Sequence, residues 1–160
     1  VAILTIASFT AKAQVSATAT SSATIITPIA ISKSIDLNFG NVAVSPSLAG
    51  TVQLSPASTR TAGGGVTLPV VTGTVSAAKF TVTGAAGSTF SISLPGAPIT
   101  LTSGSNTMTV GTFTSNPTPT GTLTAGTQDV FVGATLNVAA GQAAGVYTNA
   151  TGLVVTVNYN

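Results

Sequence analysis

The chain has 160 residues, of which only 4% are charged, and it contains no His, Cys or Trp. Its charges are Lys12, Lys33, Arg60 and Lys79 against Asp36 and Asp129, a net charge of +2. That inventory excludes zinc, iron and copper sites built on His or Cys and nucleophiles activated by His. It also gives too few cations to neutralise a nucleic-acid backbone.

In chain order, residues 1–13 come first. Val1–Phe9 is an apolar run followed by the small-x-small site Ala11-Lys12-Ala13, the pattern of a bacterial secretory signal cleaved before Gln14. The Met and basic stretch that normally open such a signal do not precede it, so the sequence reads as starting partway into one. The run is shorter than the ~18 apolar residues of a membrane-spanning helix, and no other stretch approaches that length. A second reading keeps this segment as an extended strand, with Val1, Ile3, Ala7 and Phe9 on one face and Leu4 and Ile6 on the other.

Residues 14–22 form an N-terminal extension, and 23–160 form one β domain. Its predicted strands are Ala23–Ile31, Ile35–Phe39, Thr51–Leu54, Val66–Val71, Lys79–Thr83, Thr89–Leu94, Ile99–Leu101, Thr107–Thr114, Asp129–Val138 and Leu153–Tyr159. They are rich in Val, Ile, Thr and Phe and are broken by Gly, Pro, Asn and Ser. Gly63-Gly64-Gly65 lacks the Lys-Ser/Thr of a phosphate-binding loop and reads as a flexible turn. Gly84-Ala85-Ala86-Gly87 and Gly104-Ser105-Asn106 read as hairpin connections. Asp36 and Asp129 fall in different predicted strands, as edge or turn carboxylates in solvent rather than a catalytic pair. We therefore expect no enzyme, no cofactor, no metal and no nucleic-acid partner.

Alternation locates the core. Phe80 and Val82, then Phe90, Ile92 and Leu94, point to one side, as do Leu153, Val155, Val157 and Tyr159. Many short alternating strands without a helical period imply an all-β antiparallel sandwich of two sheets. A membrane barrel fits less well, because two Tyr and six Phe make thin aromatic girdles. The surface relies on Ser, Thr, Asn and Gln and lacks the charge that keeps small domains dispersed. This favours a subunit that contacts other copies of itself.

Three opening segments, Ile29-Ala30-Ile31-Ser32, Leu37-Asn38-Phe39-Gly40 and Gly50-Thr51-Val52-Gln53-Leu54, resemble a secreted bacterial family known as a domain of unknown function, DUF4402. Phe80-Thr81-Val82-Thr83-Gly84, Gly133-Ala134-Thr135-Leu136 and Gly145-Val146-Tyr147-Thr148 continue the likeness across 23–160. The C-terminus, with Gly145-Val146-Tyr147, the strand Leu153–Val157 and a penultimate Tyr159, is similar to chaperone–usher pilins and spore-coat-protein-U-like domains. That resemblance implies an incomplete immunoglobulin-like sandwich completed by a neighbour's donor strand. It further implies a periplasmic chaperone and an outer-membrane assembly protein as partners. Many such pilins carry a disulfide, which this chain lacks.

On this reading the protein is a secreted subunit of an extracellular filament or sheath on a bacterium with an outer membrane. The alternative is a monomeric, surface-anchored binding or adhesion module using a loop such as Ser115–Thr127. The donor candidates are Val1, Ile3, Leu4, Ile6 and Phe9, or Ile25, Ile26, Ile29 and Ile31. The intervening Val15–Ala19 alternates, but with small side chains that would fill a groove poorly. Leu153, Val155, Val157 and Tyr159 are the expected C-terminal core or acceptor strand.

Overall fold

The structure is a computed structural model and describes residues 14–160. These form twelve strands, all paired antiparallel: β1 (Ala30–Ile35), β2 (Ala43–Val44), β3 (Gly50–Leu54), β4 (Arg60–Gly64), β5 (Val66–Thr67), β6 (Ala78–Thr83), β7 (Thr89–Ser93), β8 (Ile99–Ser103), β9 (Asn106–Asn116), β10 (Thr120–Thr122), β11 (Thr127–Val138) and β12 (Thr156–Tyr159). The fold is an all-β sandwich, as the alternating sequence predicts.

Strand β11 organises it. Val130, Val132, Ala134, Leu136 and Val138 alternate along it and are all buried, so one strand supplies a continuous apolar stripe. On one side its N-terminal half pairs with β6 (Val130↔Phe80) and its C-terminal half with β3 (Leu136↔Val52). On the other side it pairs with β9. The change of partner falls at Gly133, where a Cβ would collide with the Leu54 carbonyl. At the same level β9 bulges: the register passes from Gly133↔Thr114 to Thr135↔Gly111, and Thr112 sits at φ 49°. A bulge adds a residue and bends the sheet, and this one splits the large sheet into two halves facing separate cores.

The first core packs Phe80, Val82, Val130 and Val132 against Phe90 and Val157 of the small sheet β10–β7–β12 and against Leu123 and Val155, which flank it. The second packs Val52, Leu54, Val110, Leu136 and Val138 against Phe39 and Val66. Leu37 and Phe113 touch both.

Several expected elements differ. Residues 23–29 are not strand, and β1 begins at Ala30. Ile35–Phe39 continues past β1 only as an isolated bridge at Asn38↔Ser76. Val66–Val71 shortens to Val66–Thr67 and Leu153–Tyr159 to Thr156–Tyr159. Gly63 and Gly64 are not a free turn but the end of β4, opposite Thr51 and Gly50; side chains at Gly50, Gly64 or Gly65 would strike neighbouring backbone. Gly84–Gly87 does not close a hairpin, because β6 and β7 lie in different sheets. The Gly104 turn does, as a two-residue loop joining paired Ser103 and Asn106, with Gly104 at φ 58°.

The outer face of β6 and β11 holds one polar cluster: Lys79 Nζ lies 2.9 Å from Asp129 Oδ2, and Thr81 Oγ1 donates to Asp129 Oδ1 at 2.8 Å. Lys79, then Thr81, hold the Asp129 carboxyl below its ordinary value of 3.8. A depressed folded pKa means its stabilisation is complete above the unfolded value and is lost as pH falls through the folded one. Denaturation midpoints should therefore hold steady between about pH 5 and 8 and fall in acid, and Asp129→Asn should flatten that acid limb.

Gly133→Ala tests the partner switch. It should cost about 1–3 kcal/mol by denaturant unfolding, because a backbone carbonyl must move. Gly96→Ala, where a Cβ meets nothing within 4 Å, should change stability by less than about 0.5 kcal/mol.

Candidate docking groove

The second core is not closed. Between the irregular segments 36–44 and 142–153 runs an open groove of about 1160 Å3. Its floor is Ala78, Phe80, Ile99, Leu101, Met108, Val110, Leu136 and Val138. Ile99, Leu101 and Met108 are only half-buried, although the alternation of β8 and β9 turns them toward the core.

Each wall is an extended segment stitched along its outer side. In the first wall, Asn38 and Ser76 exchange backbone hydrogen bonds at 2.8 and 3.0 Å, and Asn41 N donates to Thr72 O at 2.7 Å. Gly40 turns the wall between them at φ 68°, its N–H donating to Asn38 Oδ1 at 2.9 Å; a Cβ there would collide with the Thr72 carbonyl. Arg60 Nη1 donates to the carbonyls of Phe39 and Asn41, at 2.7 and 2.8 Å. One of the chain's four cations therefore serves to hold this wall.

In the second wall, Thr148 and Thr102 exchange backbone hydrogen bonds at 3.0 Å each. Asn149 Nδ2 donates to Thr100 O at 2.7 Å. Tyr147 Oη donates to Ala143 O and accepts from Gln142 Nε2, both at 2.8 Å. Among the described residues, no hydrogen bond joins segment 36–44 to segment 142–153. Just beyond them Gly141 N donates to Ser45 O at 2.9 Å, so the two segments meet at one end and leave Ile99, Leu101 and Met108 half-buried between them.

Among the described residues, the titratable side chains lining the groove are Lys33, Asp36 and Tyr147, the last in the second wall. Lys33 and Asp36 pair with each other. Among the described residues there is no cluster of three or more His, Cys, Asp or Glu able to hold a metal. The volume exceeds the ~300–1,000 Å3 typical of small-molecule sites. Such a groove offers apolar contact and strand edges rather than acid–base chemistry.

The expected site residues separate here. Leu153 is half-buried and lines the groove, Val155 and Val157 are buried in the first core, and Tyr159 packs at its edge. Ile29 and Ile31 pack against the chain's own first core, whereas Ile25 and Ile26 are 97% and 54% exposed. Val1, Ile3, Leu4, Ile6 and Phe9 lie outside the described residues. The walls themselves were not foreseen; their sequence trace is Leu37, Phe39, Val42 and Val44 around Gly40-Asn41, where the apolar alternation breaks.

The fold and groove define a non-helical sandwich domain with a partly open core. Residues 29–159 match the model of DUF4402, a domain of unknown function, and the chain belongs to that family. No match was found to a curated protein or to a solved structure.

The Arg60 clamp is directly testable. Arg60→Met should cost about 1–3 kcal/mol, since it strips two carbonyls of a charged donor. It should also raise amide exchange over Asn38–Val44 while leaving β7 and β12 protected.

Proposed function

We propose that this protein is a non-catalytic structural subunit of an extracellular filament or sheath, assembled by β-strand complementation between copies. The observation that carries this reading is the groove: Ile99 and Leu101 of β8 and Met108 of β9 are left half-buried between two extended segments that share no hydrogen bond. An inserted strand satisfies both requirements of such a site, adding backbone hydrogen bonds along the wall edges and apolar side chains over the floor. Four or five buried side chains at about 1.5–3 kcal/mol each give a gross gain near 10 kcal/mol, before ordering costs.

The composition agrees with this role. A surface with 4% charge offers little like-charge repulsion to oppose close packing of copies. Without cysteine no disulfide ties copies together, and slow dissociation of a strand joint would supply the durability. The sequence likeness to chaperone–usher pilins extends the proposal to secretion through an outer membrane. There a chaperone would cover the groove until an assembly protein delivers the next copy.

Electron microscopy and light scattering of the purified full-length protein test this. Filaments or a concentration-dependent ladder of oligomers are expected, with Leu101→Arg on the groove floor abolishing them. A protein that stays monomeric at high concentration and unfolds cooperatively would sink the proposal in favour of a monomeric binding module.

A further inference from the structure

We infer that strand β4 pairs edge to edge with β4 of a second copy, antiparallel and centred on Ala62, joining two large sheets into one. This does not rest on the groove: it uses a different surface, and either contact can hold without the other.

The ladder between β3 and β4 shows which backbone groups of β4 are used. At its two ends, Ser55 N donates to Thr59 O and Gly65 N to Ala49 O, both at 2.9 Å. Along an antiparallel pair, residues that bond their partner alternate with residues that do not. Between those ends Thr61 and Gly63 therefore bond to Gln53 and Thr51, while Arg60, Ala62 and Gly64 turn their N–H and C=O groups the other way. β4 is the last strand of its sheet. Among the described residues no hydrogen bond from beyond β3 reaches the main chain of Arg60, Ala62 or Gly64, and Ala62 is exposed.

Exposed edges are normally guarded against pairing, and the other edges of the two main sheets are. β1 carries Lys33 and a register break before Ile35. β8 is covered by Thr148, which exchanges backbone bonds with Thr102. The far end of β9 runs from the bulge at Thr112 to Pro117, and β10 is three residues long and preceded by Pro119. β12 has four residues and lies against β1. β4 has neither proline nor bulge. Its one charge, the Arg60 guanidinium, is drawn off to the carbonyls of Phe39 and Asn41 at 2.7 and 2.8 Å.

The occupant follows from the edge itself. Ala62 is the middle one of the three outward residues, so the strand is its own complement about a two-fold axis. Ala62 exchanges N–H and C=O with Ala62 of the second copy, Arg60 of each stands opposite Gly64 of the other, and Thr61 opposite Gly63. Each larger side chain meets a glycine and the central pair are alanines, so the strands reach ladder distance without a clash. The two arginines lie roughly 13 Å apart at about 3.4 Å per residue, beyond the Debye length of about 8 Å at physiological salt. An unrelated strand would be selected by pockets for its alternate side chains, and Gly63 and Gly64 build none. A two-fold contact closes on itself, so this one ties copies in pairs, side by side.

The test uses the full-length chain carrying Leu101→Arg, so that assembly through the groove does not obscure a pair. Sedimentation should show a monomer–dimer equilibrium. Adding Ala62→Pro should weaken it at least about tenfold, because both central hydrogen bonds lose their donor. The bonds to β3 are made by Thr61 and Gly63, so the thermal midpoint should stay that of the Leu101→Arg chain, as proline is accepted on a strand edge. Ala62→Cys gives a second reading without proline. Residues that face each other in a bonded pair have Cα atoms about 5.5 Å apart, within disulfide reach, and the chain has no other cysteine. Mild oxidation should link Ala62→Cys into dimers and leave Thr114→Cys, exposed on β9, as monomer. A Leu101→Arg chain that stays monomeric at high concentration would overturn the inference and leave the edge to a strand of another protein. A dimer that Ala62→Pro does not weaken, or equal cross-linking of both cysteine variants, would overturn it too. So would protection of the Ala62 amide from exchange at every concentration, since the edge would then be covered within one copy. A parent chain that forms this dimer but no filaments or ladder would uphold the β4 contact and remove the groove reading alone.

Discussion

Everything in this domain depends on one strand serving two cores. The apolar stripe of β11 from Val130 to Val138 is continuous, but its partners are not: β6 covers one half and β3 the other, with Gly133 as the only place where both can meet it. A side chain there has no room, because the Leu54 carbonyl occupies the space. The sheet bends at that level, helped by the β9 bulge at Thr112. One half then faces β10, β7 and β12, while the other half faces no comparable sheet. Its second layer consists of the short pair β2–β5 and irregular segments, and this is why the groove exists.

The groove follows from how polar backbone is satisfied. Buried N–H and C=O groups need partners, and each wall meets that need outward, to Thr72 and Ser76 on one side and to Thr100 and Thr102 on the other. Having bonded outward, the walls are not drawn together across the floor. Arg60 adds a cationic donor to the first wall's carbonyls, which resists its collapse inward. One of the chain's four cations thus fixes the course of this wall.

Much of the sandwich was legible because period-two alternation is local. Lys79–Thr83, Thr89–Leu94 and Thr107–Thr114 carry their burial pattern in their own residues, and the long run Asp129–Val138 announces the central strand. Four features were hidden because they depend on distant partners. β4 reads as turn, since Gly63 and Gly64 have no side chains to alternate; they are strand only because β3 lies alongside. Gly84–Gly87 has hairpin composition, and only the allocation of β6 and β7 to different sheets makes it a crossover. The three residues of β10 are too few to show a period. The walls are extended but mostly unpaired, and extended backbone without a ladder has no compositional signature. Ile25 to Ile31 shows the same limit: the four isoleucines look alike in sequence, yet the bond to Thr27 falls between two that do not pack at home and two that do.

That separation bears on why the domain is not simply a closed sandwich. An arm that packed on its own body would complete the second layer and leave no free edge, giving a stable monomer. Here Tyr159, on the last strand, bonds the chain at Thr27 just before the body begins, and a Cβ at Gly84 would collide with that hydroxyl. The C-terminal strand therefore holds Thr27, the residue next to the exposed segment 14–26. Tyr159 thus ties the last strand to Thr27, and residues 14–26 before it are exposed and form no hydrogen bond with the described body.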